Sequence, residues 1–192
     1  MSTPTLLLYL KRTGHVLAAA TLTAAASKDP TPEALAGDLL PVRHSGDPMQ
    51  PVLADLVTVP AGELALLSVD AAAVPLAAAR EFFIDPQAKT TQPLPFTAAN
   101  TPTLDPATNS TQLTIKFTPP AAANIKLWAR IEPINPPAGS QVAPQTVPGE
   151  VTPANKNPLP VSFPLSPLAS GDYAVLALVP GLVPLLAKFT IP

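Results

Sequence analysis

Residues 168–179 read Leu168-Ala169-Ser170-Gly171-Asp172-Tyr173-Ala174-Val175-Leu176-Ala177-Leu178-Val179. Every position from Tyr173 to Val179 is apolar, so both faces of the segment must be buried. That pattern predicts a central strand. Pro180-Gly181-Leu182 then turns the chain. Val183, Leu185, Ala187, Phe189 and Ile191 alternate with their neighbours to the C-terminus, as a half-buried strand does. Upstream, Leu113, Ile115 and Phe117 alternate within Gln112–Thr118, and Ile125, Leu127, Ala129 and Ile131 within Asn124–Glu132. Lys126, Trp128, Arg130 and Glu132 fall on the opposite, polar face of the latter segment. Val161, Phe163 and Leu165 alternate too, but Pro160, Pro164 and Pro167 lack ladder donors, which predicts an edge strand. Residues 133–158 read as a long proline-dense connection, with a strand near Glu150-Val151-Thr152.

The spacing Leu168-x-x-Gly171-x-Tyr173 resembles the tyrosine corner of immunoglobulin-like and fibronectin-type-III-like β-sandwiches. The resemblance implies that the Tyr173 hydroxyl bonds back to upstream backbone and fixes a crossover between two sheets. The six or seven strands read between about residue 100 and residue 192 are compatible with it. The chain has no cysteine, so the likeness is to the cysteine-free branch. A Greek-key or jelly-roll sandwich in which Gly171-Asp172 is only a turn is the other reading.

Proline rules out most alternatives to strand. It occupies 28 of 192 positions, about three times the usual share of roughly 5%. Each one inside a helix would cost about 3 kcal/mol. The longest proline-free window of note is Thr5–Asp29. There Thr5–Lys11 and His15–Thr23 read as a hairpin around Arg12-Thr13-Gly14. Leu53–Val59 and Glu63–Asp70 read as a second hairpin around Pro60-Ala61-Gly62. Residues 28–52 read as loop, with a helical turn over Ala34–Leu40 capped by Thr31 and begun by Pro32. Ala71–Arg80 has helical composition interrupted by Pro75, and Glu81–Asp85 reads as a short strand. The expected class is therefore mainly β with little helix and proline-rich loops. It comprises a β-rich N-terminal domain or layer over 1–92, a proline-rich linker over 93–110, and an immunoglobulin-like sandwich over 111–192.

Charge and chemistry narrow the function. Lys and Arg number 11, Asp and Glu 13, giving a net charge of −2 and no basic footprint for nucleic acid. No run of about 18 apolar residues is free of proline or charge, so no membrane span is expected. Leu6–Leu10 precedes Lys11-Arg12, the reverse of the order in a secretory signal, and points to the cytoplasm or a particle assembled there. His15 and His44 lack metal-ligand spacing, and no nucleophile elbow, phosphate-cradling loop or calcium loop is present. Asp29/Glu33, Asp38/Asp47 and Glu81/Asp85 are the nearest carboxylate pairs, and Asn109-Ser110-Thr111 is a formal sequon. No enzyme activity and no cofactor is expected.

Trp128, flanked by Lys126 and Arg130, is the candidate interaction residue, since Trp and Arg are enriched at interfaces. Charged residues are 12% of the chain, about half the usual share of roughly 25%. Either neutral Thr, Pro, Ser and Asn cover so thinly charged a surface, or much of it is buried against partner subunits. The leading expectation is a non-enzymatic structural subunit of a homo- or hetero-oligomeric assembly, a shell, tail or cap component of a phage-like or contractile particle. The alternative is a β-sandwich binding module for carbohydrate or peptide, with Trp128 as platform or the Val161–Leu165 edge as template.

Overall fold

Strand dominates the protein, as the proline spacing requires. The computed structural model describes residues 4–21, 30–43, 56–70, 72–74, 76–85, 87–94, 101–118, 124–134, 136, 142–151 and 159–192. The chain divides into two units, Met1–Leu40 with Val59–Leu94 and Pro41–Thr58 with Pro95–Pro192.

In the first unit, β1 (Thr5–Leu10) and β2 (Val16–Thr21) form the expected hairpin. Leu10 N donates to His15 O at 2.9 Å and Gly14 N to Leu10 O at 2.8 Å. All six residues of β1 are buried, so it is a central strand. The short α1 (Pro32–Ala36) starts as its sequence predicts, with Thr31 Oγ1 accepting from Ala34 N at 3.2 Å and proline in the first turn. It stops at Ala36 rather than Leu40. Gly37 takes φ +69°, and Leu39 and Leu40 already belong to β3 (Leu39–Arg43), in a segment read from sequence as loop.

The second expected hairpin does not form. β4 (Leu56–Pro60) pairs with β3 in a ribbon whose residues 41–43 and 56–58 belong to the second unit, whereas β5 (Leu64–Val69) pairs with the free edge of β1, giving a sheet ordered β2-β1-β5. A 3₁₀ turn over Ala61–Glu63 separates β4 from β5. A two- to five-residue hairpin loop keeps both strands in one ladder. Here a helical turn after Pro60 redirects the chain, and β1, apolar on both faces, supplies the edge that β5 takes. A 3₁₀ helix over Leu76–Glu81 follows, then β6 (Phe82–Ile84) paired with β7 (Thr91–Pro93). The turn between them is held by Asp85. Its carboxylate accepts from Ala88 N and Gln87 N at 3.0 and 2.8 Å, and those amides hold its pKa below the usual carboxylate range. The core of this unit collects Leu7, Tyr9, Val16, Val74, Ala79 and Ile84.

The second unit contains β8 (Thr103–Leu104), β9 (Gln112–Phe117), β10 (Ile125–Ile134), β11 (Gln145–Val151), β12 (Leu159–Pro164), β13 (Gly171–Leu178) and β14 (Leu185–Ile191). They form two antiparallel sheets, ordered β12-β9-β8 and β11-β10-β13-β14. Inward residues of both sheets, among them Leu113, Ile115, Leu127, Ile131, Phe163 and Val175, share one core. As read from sequence, β13 is central and β12 is an edge. Two readings need correction. β8 lies inside the expected linker, where Asp105 N donates to Thr114 O at 2.9 Å and Asn109 N to Gln112 O at 2.8 Å. The expected long connection over 133–158 contains the end of β10 and all of β11, whose last residues, Glu150 and Val151, fall in the strand expected near Glu150-Val151-Thr152.

Proline is tolerated in those strands because of which way its missing amide would point. Pro148 stands in register with Trp128, so that pair is not a bonded one. Alternation then makes Leu127, Ala129 and Ile131 the bonded positions toward β11. The nitrogen of Pro133 faces the same side, beyond the last register pair at Ile131 and Gln145. No ladder bond is lost there.

Tyr173 is buried, and its hydroxyl donates to Ala169 O at 2.8 Å. The resemblance to a tyrosine corner implies a bond from this hydroxyl to upstream backbone. The ring stacks on Phe189 with centroids 5.5 Å apart. Tyr173→Phe is expected to lower stability by about 1–2 kcal/mol, the worth of a part-buried hydrogen bond whose acceptor is left behind. A urea midpoint followed by Trp128 fluorescence measures it, Trp128 being the sole tryptophan.

Candidate functional site

Lys126, Trp128 and Arg130 share one face of β10, but they do not form an exposed platform. Lys126 is exposed, Trp128 is only 1% exposed, and Arg130 and Glu132 are each 9% exposed. The same face of β13 carries Ala174, Leu176 and Leu178, all buried, in register with Glu132, Arg130 and Trp128. The expected polar face is thus a second buried face. No local pattern around Trp128 marks this burial, which comes from pairing with β13, a strand apolar on both faces.

Arg130 can be buried because its charge is met two residues along the same face. Its Nε lies 3.0 Å from Glu132 Oε1, and its Nη1 donates to Thr146 Oγ1 at 2.9 Å. Glu132 Oε1 also accepts from Thr58 N at 3.1 Å and from the Thr58 hydroxyl. One carboxylate oxygen therefore receives a guanidinium N–H, an amide and a hydroxyl. This network is a clasp within the second unit that ties Thr58, in the middle of β4, to β10. Thr58 had no sequence signal, since a contact spanning 74 residues leaves none. The clasp exposes no group for substrate chemistry.

Trp128 Nε1 is buried with no hydrogen-bond partner among the described residues. An unmatched buried donor costs about 1–3 kcal/mol. Trp128→Phe removes it along with part of the ring area, so the expected loss is under about 1.5 kcal/mol. Trp128→Ala is expected to cost about 3–5 kcal/mol. Thermal unfolding of the two variants compares them, and equal losses would contradict the unmatched donor.

His15 is fully buried, with Nδ1 2.9 Å from Thr13 Oγ1. His44, Asp29 and Asp47 lie outside the described residues. Asn109 Oδ1 accepts from Thr111 N at 3.0 Å, so the sequon forms a local turn. Among the described residues no three His, Asp or Glu side chains are grouped to hold a metal ion. No described helix is long and apolar enough to cross a membrane. Comparison with protein-family models, curated proteins and solved structures finds no match to this chain.

Proposed function

We propose that this protein is a non-enzymatic structural subunit of a multi-protein assembly, formed in the cytoplasm, of the shell, tail or cap kind found in phage-like or contractile particles. Its second unit, on this reading, is a cysteine-free immunoglobulin-like or fibronectin-type-III-like sandwich used as a building block. In chain order, the first, second and fifth strands of that unit stand against the third, fourth, sixth and seventh. An immunoglobulin-like sandwich likewise keeps strands A, B and E in one sheet and C, F and G in the other. The Tyr173 to Ala169 bond supports the same assignment.

The observation that carries the assembly reading is the charge deficit. A chain with 12% charged residues is about half as charged as an ordinary soluble protein, and neighbouring subunits would supply the missing cover. The competing reading, a carbohydrate or peptide module, loses its platform with the burial of Trp128. Sedimentation of the full chain across a hundredfold concentration range tests the proposal. Oligomers or co-purifying subunits are expected, and a monomer throughout overturns it.

A further inference from the structure

Among the described residues β12 ends its sheet, and a sheet edge is where a foreign strand adds. The direction of its amides follows from one bond. Leu165 N donates to Thr111 O at 2.9 Å, on the β9 side. Bonded and unbonded pairs alternate in an antiparallel ladder. Phe163 with Leu113, and Val161 with Ile115, are therefore the inward-bonded pairs. Residues 160, 162, 164 and 166 form the outward row.

That row is depleted of donors. Pro160 and Pro164 have no N–H. Ser166 is already engaged: its N donates to Gln145 Oε1 at 3.0 Å, and its O accepts from Gln145 Nε2 at 2.8 Å. The Gln145 amide makes with Ser166 the two bonds that an adjoining strand would make. Only the Ser162 amide is left to face outward.

We propose that this row is an edge guard, which denies β12 to an incoming strand and confines the protein's contacts on that side to side-chain surfaces. An added strand needs a donor from each outward residue, and here three of four consecutive ones are missing or occupied. The inference does not rest on the assembly reading, because a monomer would need the same protection.

Hydrogen exchange on the full chain tests it first. The Ser162 amide should exchange within about tenfold of an unstructured peptide at every concentration, while Val161 and Phe163 are slowed about a thousandfold or more. Protection of Ser162 that grows with concentration overturns the proposal. Pro160→Val combined with Pro164→Val restores the donors. This variant is expected to gain mass with concentration relative to wild type and to show new protection at 160, 162 and 164. An unchanged mass at about 1 mM, with those amides still fast, overturns the proposal as well. The wild-type measurement decides the matter by itself if the variant does not fold. Failure of the assembly reading would change the wild-type mass and leave the Ser162 rate where it is.

Discussion

Gly14→Ala is expected to destabilise the first unit by about 3–5 kcal/mol, among the largest effects available to a single methyl group. Two causes add. Gly14 has φ +77°, a region that costs an L-residue about 1–2 kcal/mol. A Cβ built there would overlap the carbonyl oxygen of Ile84 and lie 3.0 Å from its carbon. Neither atom can step aside. Ile84 N donates to Gly14 O at 2.7 Å, and His15 bridges Phe83, so β6 is locked against the turn. Gly37→Ala is the matched control. Gly37 has φ +69°, but its added Cβ would meet nothing within 4 Å. It should cost only the conformational part, about 1–2 kcal/mol. Urea denaturation of both variants, with the Ile84 amide followed by hydrogen exchange, separates the causes. Equal losses would show that the close approach of Ile84 does not matter.

Glu132→Ala is expected to cost about 3–5 kcal/mol, because it leaves the Arg130 guanidinium buried without its counter-charge. It also removes the acceptor of Thr58 N, a second loss of about 1 kcal/mol or more. Replacing both charges, as Arg130→Met with Glu132→Leu, should recover most of the first loss, since apolar pairs of similar volume replace buried ion pairs at little net cost. It should not recover the second. The Thr58 amide is therefore expected to exchange faster in both variants, even where the unfolding midpoint of the double variant returns toward wild type. A Thr58 amide that stays protected in Glu132→Ala would show that the clasp does not hold β4. Arg130, Glu132 and Thr58 are polar by composition, and only their geometry makes them a largely buried unit.

Much of the fold is legible in particular residues. Tyr173–Val179 announces a central strand, and Pro160 and Pro164 announce an edge, because each reading depends on a local property: apolar faces in one case, an absent amide in the other. Thr31 and Pro32 mark a helix start for equally local reasons. The readings that failed concerned pairing, burial, and strands such as β3, β8 and β11 in stretches read as loop, linker or connection. Nothing within Leu53–Asp70 says that β4 joins β3 while β5 joins β1. Nothing near Trp128 says that Lys126 stays in solvent while Arg130 is buried two residues away. Glu132 lies beside Arg130 on the same face, but the third member of the clasp comes from a distant segment.

By itself, then, the sequence determined that the backbone is pleated, where most strands run, and that cysteine chemistry and long helices are absent. Those properties follow from the φ restriction of proline, the two-residue period of a strand and the bare count of residue types. Only the tertiary structure decided which strands share a sheet, that the face carrying Trp128 is interior, and that Gln145 closes the β12 edge at Ser166. Strand pairing and burial depend on what lies opposite in space, and contacts between residues far apart in the chain leave no periodic trace in either one.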